Sequence, residues 1–145
     1  LLSNQPKTRL HSQYDHSKNS TGSKIKNREV ARISPQDAEA RSIRSGDIVR
    51  LYNDRGSCLA AAVISESLRE GVVELPTGAW YDPEDPDTEN SMDVHGNPNV
   101  LTRDAGTSRL AQGPTAHSCL IEVELFAGEL PSIRIHKPPP MDNAD

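Results

Sequence analysis

The side chains best suited to holding a small polar molecule lie in His95 to Gly113, which reads H-G-N-P-N-V-L-T-R-D-A-G-T-S-R-L-A-Q-G and has almost no large apolar residue. Glycine and proline there set turns, while asparagine, threonine, serine and glutamine offer neutral donors and acceptors, the equipment for gripping a polar heterocycle. Such a stretch cannot build a core. Arg9-Leu10-His11-Ser12-Gln13 adds a ring nitrogen, a hydroxyl and an amide in succession. On the residues alone, His11 reads as a strand end satisfying its own hydrogen bonds. Asn53-Asp54-Arg55-Gly56 and Gly78-Ala79-Trp80-Tyr81-Asp82-Pro83 form two further polar turns.

Other chemistries have no anchor. The sequence contains no CxxC pair, no HExxH, no G-x-S-x-G and no P-loop, and its five histidines are too dispersed to define a metal site. Asp82, Glu84, Asp85, Asp87 and Glu89 make an acidic run broken by Pro83 and Pro86, which reads as a solvated turn rather than a calcium loop. Sixteen Lys and Arg against 21 Asp and Glu leave a net charge of -5 with the basic residues scattered, which argues against a nucleic-acid partner. Cys58 and Cys119 each sit in an apolar run and read as free thiols, a disulfide between them being the alternative. No apolar run reaches the roughly 18 residues of a membrane span. The first residues read as mid-protein sequence, so the expectation is a longer native chain.

These motifs need a scaffold. A length of 145 residues suits one domain, and a hydrophobic fraction of 34% with 3% aromatics is low enough that some surface is expected to mature against another domain. Residues 1–28 read as an N-terminal segment and exposed loop, 29–126 as a β-rich body that includes the polar loop 95–117, and 127–145 as a tail. Ser34-Pro35-Gln36-Asp37 is a helix start, with Ser34 as cap, Pro35 at the first helical position and Asp37 returning to the cap; the helix is expected to run to about Ser42. Ile43 then packs inward and Gly46 turns the chain. Asp47 to Tyr52 and Cys58 to Ile64 flank Asn53 to Gly56 as a β-hairpin, with further strands at Gly71 to Leu75 and Ser118 to Leu125. Ile43 to Leu51 and Leu68 to Leu75 echo each other, each placing an apolar residue before a glycine turn and a strand.

From about Ser3 to about Glu124, the four polar motifs in their order and spacing resemble the C-terminal domain of the molybdopterin-dinucleotide sulfoxide and N-oxide reductases, the dimethyl sulfoxide reductase family. Within it the biotin sulfoxide reductases are most similar, with the trimethylamine N-oxide reductases close behind. The resemblance implies a six-stranded double-psi β-barrel of the aspartate-decarboxylase-like type with short helices and long polar loops. It implies a part in oxygen-atom removal from S-oxides or N-oxides, through a bis(molybdopterin guanine dinucleotide) molybdenum cofactor bound jointly with upstream domains of the same polypeptide. The protein ligand to molybdenum is expected in those domains, so no residue here is assigned as catalytic acid or base.

By the same resemblance His11, Ser12 and Gln13 lie against the pterin, with Asn4 and Gln5 before them. Asn99 matches a family asparagine that hydrogen-bonds the pterin, Thr107, Ser108 and Gln112 continue the cradle, and His117 stands where dimethyl sulfoxide reductases carry glutamine. Asn97 either joins this set or holds the turn before Pro98, and Trp80 reads equally as a core anchor or a contact at the groove mouth. The compartment implied is cytoplasmic, or periplasmic if an export signal precedes the chain. The alternative function is a stand-alone double-psi barrel acting as an interaction or small-ligand module. A self-processing decarboxylase on that barrel lacks support, since Gly22-Ser23 and Gly56-Ser57 stand in unmatched contexts.

Overall fold

The computed structural model describes residues 1–138, so residues 139–145 of the expected tail lie outside the described residues. In chain order the elements are α1 (Lys18–Thr21), β1 (Val30–Ile33), α2 (Pro35–Ala40), β2 (Ile48–Asn53), β3 (Gly56–Ile64), β4 (Val73–Glu74), a 3-10 turn (Pro98–Val100) and β5 (Glu122–Leu125). The architecture is mainly β, built on one mixed sheet of order β4-β1-β3-β2-β5.

β3 is the centre of that sheet. It pairs antiparallel with β2 through the expected hairpin, Asn53 opposite Gly56, and parallel with β1, Val30 opposite Ala61. Its sequence is almost continuously apolar because successive side chains point to opposite faces and both faces are covered. Cys58, Ala60 and Ala62 enter one cluster with Val49, Leu51 and Leu101, while Leu59 and Ala61 enter a second with Ile48 and Val94.

Helix α2 starts as its residues dictate: the Ser34 hydroxyl accepts from Asp37 N at 3.1 Å and donates to Asp37 Oδ2 at 2.8 Å, with Pro35 in the first turn. It ends at Ala40 rather than Ser42, because Ser42 adopts a left-handed φ of 55°. Ser42 N then donates to Glu39 O and Ile43 N to Ala38 O, a Schellman closure in which buried Ile43 and Ala38 share the first cluster. The expected inward packing of Ile43 is thus the other half of the helix stop.

Two strands are shorter than expected and a further one is present. β4 is two residues long and β5 begins at Glu122, since Ser118 is spent on an isolated bridge with Leu2. β1 was not expected at all, although Val-Ala-Arg-Ile alternates inward Ala31 and Ile33 with exposed Arg32. Leu2 bridges Glu74 in parallel and Ser118 antiparallel, so the first residues run between β4 and the segment that leads into β5. The sheet therefore curls, and its two edges share one short bridging segment.

Candidate functional site

The turn carrying His11 and Ser12 is fastened from below by the arginine of its own motif. Arg9 is buried, with Nη1 donating to Ser20 Oγ at 3.1 Å and Nη2 donating to Glu29 Oε2 and to the Thr77 carbonyl, each at 2.7 Å. Lys24 Nζ completes a buried four-charge cluster, 2.9 Å from Asp15 Oδ1 and 3.1 Å from Glu29 Oε2. Two cations and two anions balance, which is the condition for burying them. Burial alone would raise the Asp15 carboxyl, but Lys24, the Trp80 N–H and His95 overcome it and hold Asp15 well below the usual carboxylate range. The loop expected within residues 1–28 is therefore not exposed throughout: it contains α1, and Asp15 and Ser20 are fully buried.

Above this base the turn closes between Leu10 and Gln13, with His11 at a left-handed φ of 50°. Gly78, at φ 92°, packs directly on it, and a Cβ there would collide with the His11 carbonyl. Trp80 Nε1 donates to the Ser12 carbonyl at 2.7 Å. His11 and Ser12 themselves remain exposed at the rim.

The opposite wall is organised by Asp93. Its Oδ1 accepts from the backbone N–H groups of His95, Gly96 and Asn97 at 3.2, 2.6 and 2.7 Å, and its Oδ2 accepts from Asp82 N at 2.8 Å. One carboxylate thus joins the G-A-W-Y-D-P and H-G-N-P-N segments. Burial pushes the Asp93 carboxyl up to about 6, against the pull of those four donors. Asn97 Oδ1 accepts from Asn99 N at 2.9 Å and caps the 3-10 turn, so Asn97 holds the turn before Pro98 while the side chain of Asn99 stands exposed. The start of the polar loop, His95 to Pro98, is consequently buried, and Leu101 with it. His95 Nδ1 donates to the Trp80 carbonyl at 2.8 Å. Burial lowers His95 to about 4, reinforced by the Lys24 charge and opposed by the Trp80 carbonyl and Asp15.

His11, Ser12, Thr77, Gly78, Ala79, Trp80, Tyr81, Asn97 and Asn99 line one open cavity of about 350 Å³. A second of about 390 Å³ shares Tyr81 and Asn99 and adds Arg55, Asn90, Ser91, Thr102 and Asp104. Together they form a groove from the His11 turn to the β2–β3 hairpin. The remaining expected site residues lie elsewhere. Asn4 and Gln5 line a separate cavity of about 660 Å³ with Lys7, Arg32 and Glu74. Gln13 is exposed beside the turn. Thr107 and Ser108 donate to the Ala111 carbonyl and Gln112 donates to the Ser108 carbonyl, so this exposed half-loop satisfies itself. His117 lies beside Ser3, its Nδ1 3.3 Å from the Ser3 carbonyl. Residues that sequence reasoning passed over are Arg9, Asp15, Lys24, Glu29 and Asp93. Arg9 lies inside the R-L-H-S-Q motif, and Asp93 stands three residues before the turn formers Gly96-Asn97-Pro98; these were the available signals. In the acidic run, Asp82 is buried, contrary to the solvated-turn reading, whereas Glu84, Asp85, Asp87 and Glu89 are exposed.

Residues 1–120 match the family model described as Molydopterin dinucleotide binding domain. The chain belongs to this family. Among curated members, the biotin sulfoxide reductase of Cereibacter sphaeroides is 45% identical over 129 residues, covering 89% of this chain and 17% of that protein. The trimethylamine-N-oxide reductase of Salmonella typhi is 46% identical over 134 residues, covering 92% and 16%. The dimethyl sulfoxide/trimethylamine N-oxide reductase of Cereibacter sphaeroides is 38% identical over 139 residues, covering 96% and 17%. This molybdopterin dinucleotide binding domain thus spans about a sixth of the length of those relatives. The solved structure of the acetylene hydratase from Pelobacter acetylenicus aligns with a TM-score of 0.55 at 18% identity, over 70% of this chain and 14% of that one, a likeness of fold.

Proposed function

We propose that this domain forms one wall of the cofactor site in a longer molybdenum oxidoreductase that removes oxygen from S-oxides or N-oxides, with upstream domains of the same polypeptide forming the other wall. The observation that carries the reading is the groove itself: His11 and Ser12, Trp80, and Asn99 come from three distant segments and share one cavity whose lining holds no carboxylate side chain. That donor set fits a pterin or guanine edge. An amide donates and accepts side by side, the hydroxyl of Ser12 turns to either need, and the Trp80 indole offers an apolar face. At the hairpin end of the groove the Arg55 guanidinium, anchored by Nε to the Leu101 carbonyl at 2.8 Å and paired at Nη1 with the exposed Asp54 at 3.0 Å, is suited to exchange that carboxylate for a phosphate.

When bound, the molybdenum cofactor supplies the oxygen-atom transfer chemistry. This chain's residues hold and orient it. Arg9 fixes the His11 turn to Thr77, Asp93 fixes the Asn99 turn to Asp82, and the groove lies between two turns that cannot drift independently. Within this reading His11, Ser12 and Asn99 are the primary contacts, while Asn4, Gln5, Gln13, Thr107, Ser108, Gln112 and His117 face the cofactor only once the upstream domains close on it. The parallel β1–β3 pairing and the two bridges of Leu2 support a double-psi barrel as the finer description of the fold.

Molybdenum and guanine nucleotide content of the longer polypeptide tests the reading. Asn99→Ala is expected to lose both faster in a mild chase than Glu66→Ala, an exposed control. Equal retention in the two variants would overturn the groove assignment.

A further inference from the structure

We propose that Pro131 to His136 is a strap that locks the Trp80 wall of the groove, with His136 as its positioning residue; the functional weight of this rests on the groove being the cofactor site. The strap follows β5 and lies beyond residues 1–120 that match the family model. It is tied down independently of its side-chain ring. Arg28 Nη2 donates to the Pro131 carbonyl at 2.5 Å, and the N–H groups of Arg134 and Ile135 both donate to Asp82 Oδ2, at 2.6 and 3.0 Å. Ile133 packs on the second core cluster. Asp82 N is itself held by Asp93, so the strap hangs from the same carboxylate that organises the Asn99 turn.

These ties deliver His136 to Trp80. The two rings meet edge-on, centroids 5.6 Å apart at 70°, and His136 also meets His95 edge-on at 4.9 Å and 89°. His136 Nε2 donates to Asp15 Oδ2 at 3.4 Å, the oxygen that also accepts from Trp80 N at 3.0 Å. Trp80 is thus fixed through its N–H, its carbonyl and its indole N–H, but among the described residues its ring is flanked by only two aromatic groups, His136 and the exposed His16 at 5.3 Å. His136, with its side chain 23% exposed, is the more enclosed member of that pair. Without it the indole keeps its tether to Ser12 and loses its backing, and the face it offers to the groove is no longer set.

Trp80 is the sole tryptophan of the chain, so its emission reports the wall directly. Acrylamide quenching is measured on the chain and on His136→Ala, His136→Gln, His136→Phe and the neighbouring control Lys137→Ala, with far-ultraviolet circular dichroism to follow the fold. Loss of an edge-to-face contact is expected to raise quencher access roughly two-fold or more in His136→Ala. The milder His136→Gln, which retains a donor for Asp15, is expected to follow it, His136→Phe to stay near the parent, and Lys137→Ala to match the parent. Parent-like quenching in both His136→Ala and His136→Gln would overturn the proposal. In the cofactor-loaded longer polypeptide, His136→Ala is expected to release molybdenum several-fold faster. Unchanged release alongside a loosened Trp80 would refute the strap's effect on the ligand; failure of the groove reading would instead leave Asn99→Ala without effect as well.

Discussion

Arg9 Nη2 donates to the Thr77 carbonyl at 2.7 Å, which pins the turn bearing His11 to the segment bearing Gly78 and Trp80. The bond belongs to a buried cluster, so removing Arg9 strands Glu29 and Asp15 with one remaining cation, Lys24. Arg9→Met is therefore expected to destabilise the fold by about 3–5 kcal/mol in urea unfolding. Arg9→Lys is expected to recover only part of that, because a single ammonium cannot reach Ser20, Glu29 and Thr77 from one position. A lysine variant as stable as the parent would show that charge alone matters there.

The pH dependence of stability has two opposed contributors beside the groove. His95 is lowered to about 4 in the fold, so between about 4 and its ordinary value the unfolded chain holds the extra proton and stability rises with pH. Asp93 is raised to about 6, so over the lower part of the same window the folded chain holds the extra proton and stability falls as pH rises. Each effect is on the order of 3 kcal/mol. The cost of His95→Gln is expected to grow as pH rises from about 4 to about 6.5, and the cost of Asp93→Asn to shrink from about 4 to about 6. Denaturant midpoints across that range check both slopes. Two costs that move together with pH would contradict the assignment.

The two free thiols differ in access. Cys58 is fully buried on β3 and burial pushes its thiol well above the ordinary value, while Cys119 is half-buried and only raised. A disulfide-exchange reagent at neutral pH is expected to label Cys119 slowly and Cys58 only on unfolding. Rapid labelling of both in the native chain would mean that β3 opens far more readily than its packing implies.

The local signals were the legible ones. The Ser34 cap, the Pro35 start, the Asn53 to Gly56 hairpin and the continuous apolar run of β3 depend on neighbours within a few residues, and each forms. The stop of α2 is not legible in the sequence, because its left-handed residue is Ser42, which carries none of the usual glycine signal. Arg9, Asp15, Lys24 and Glu29 were unreadable for a different reason. Charged residues in a polar stretch read as solvated, and only long-range closure, Arg9 to Thr77 among its contacts, makes them a core. The sequence presents the polar loop as one cradle, but Asp93 draws His95 to Asn97 inward, while Thr107 to Gln112 folds on itself. Spacing in sequence could not divide it.

The groove is tested most directly by hydrogen exchange on the longer polypeptide with and without its molybdenum cofactor. Binding in the groove predicts slowed exchange at residues 11–13, 77–81 and 97–100 when cofactor is present. Protection confined to residues 4–8 and 103–117, with the His11, Trp80 and Asn99 segments unchanged, would contradict it.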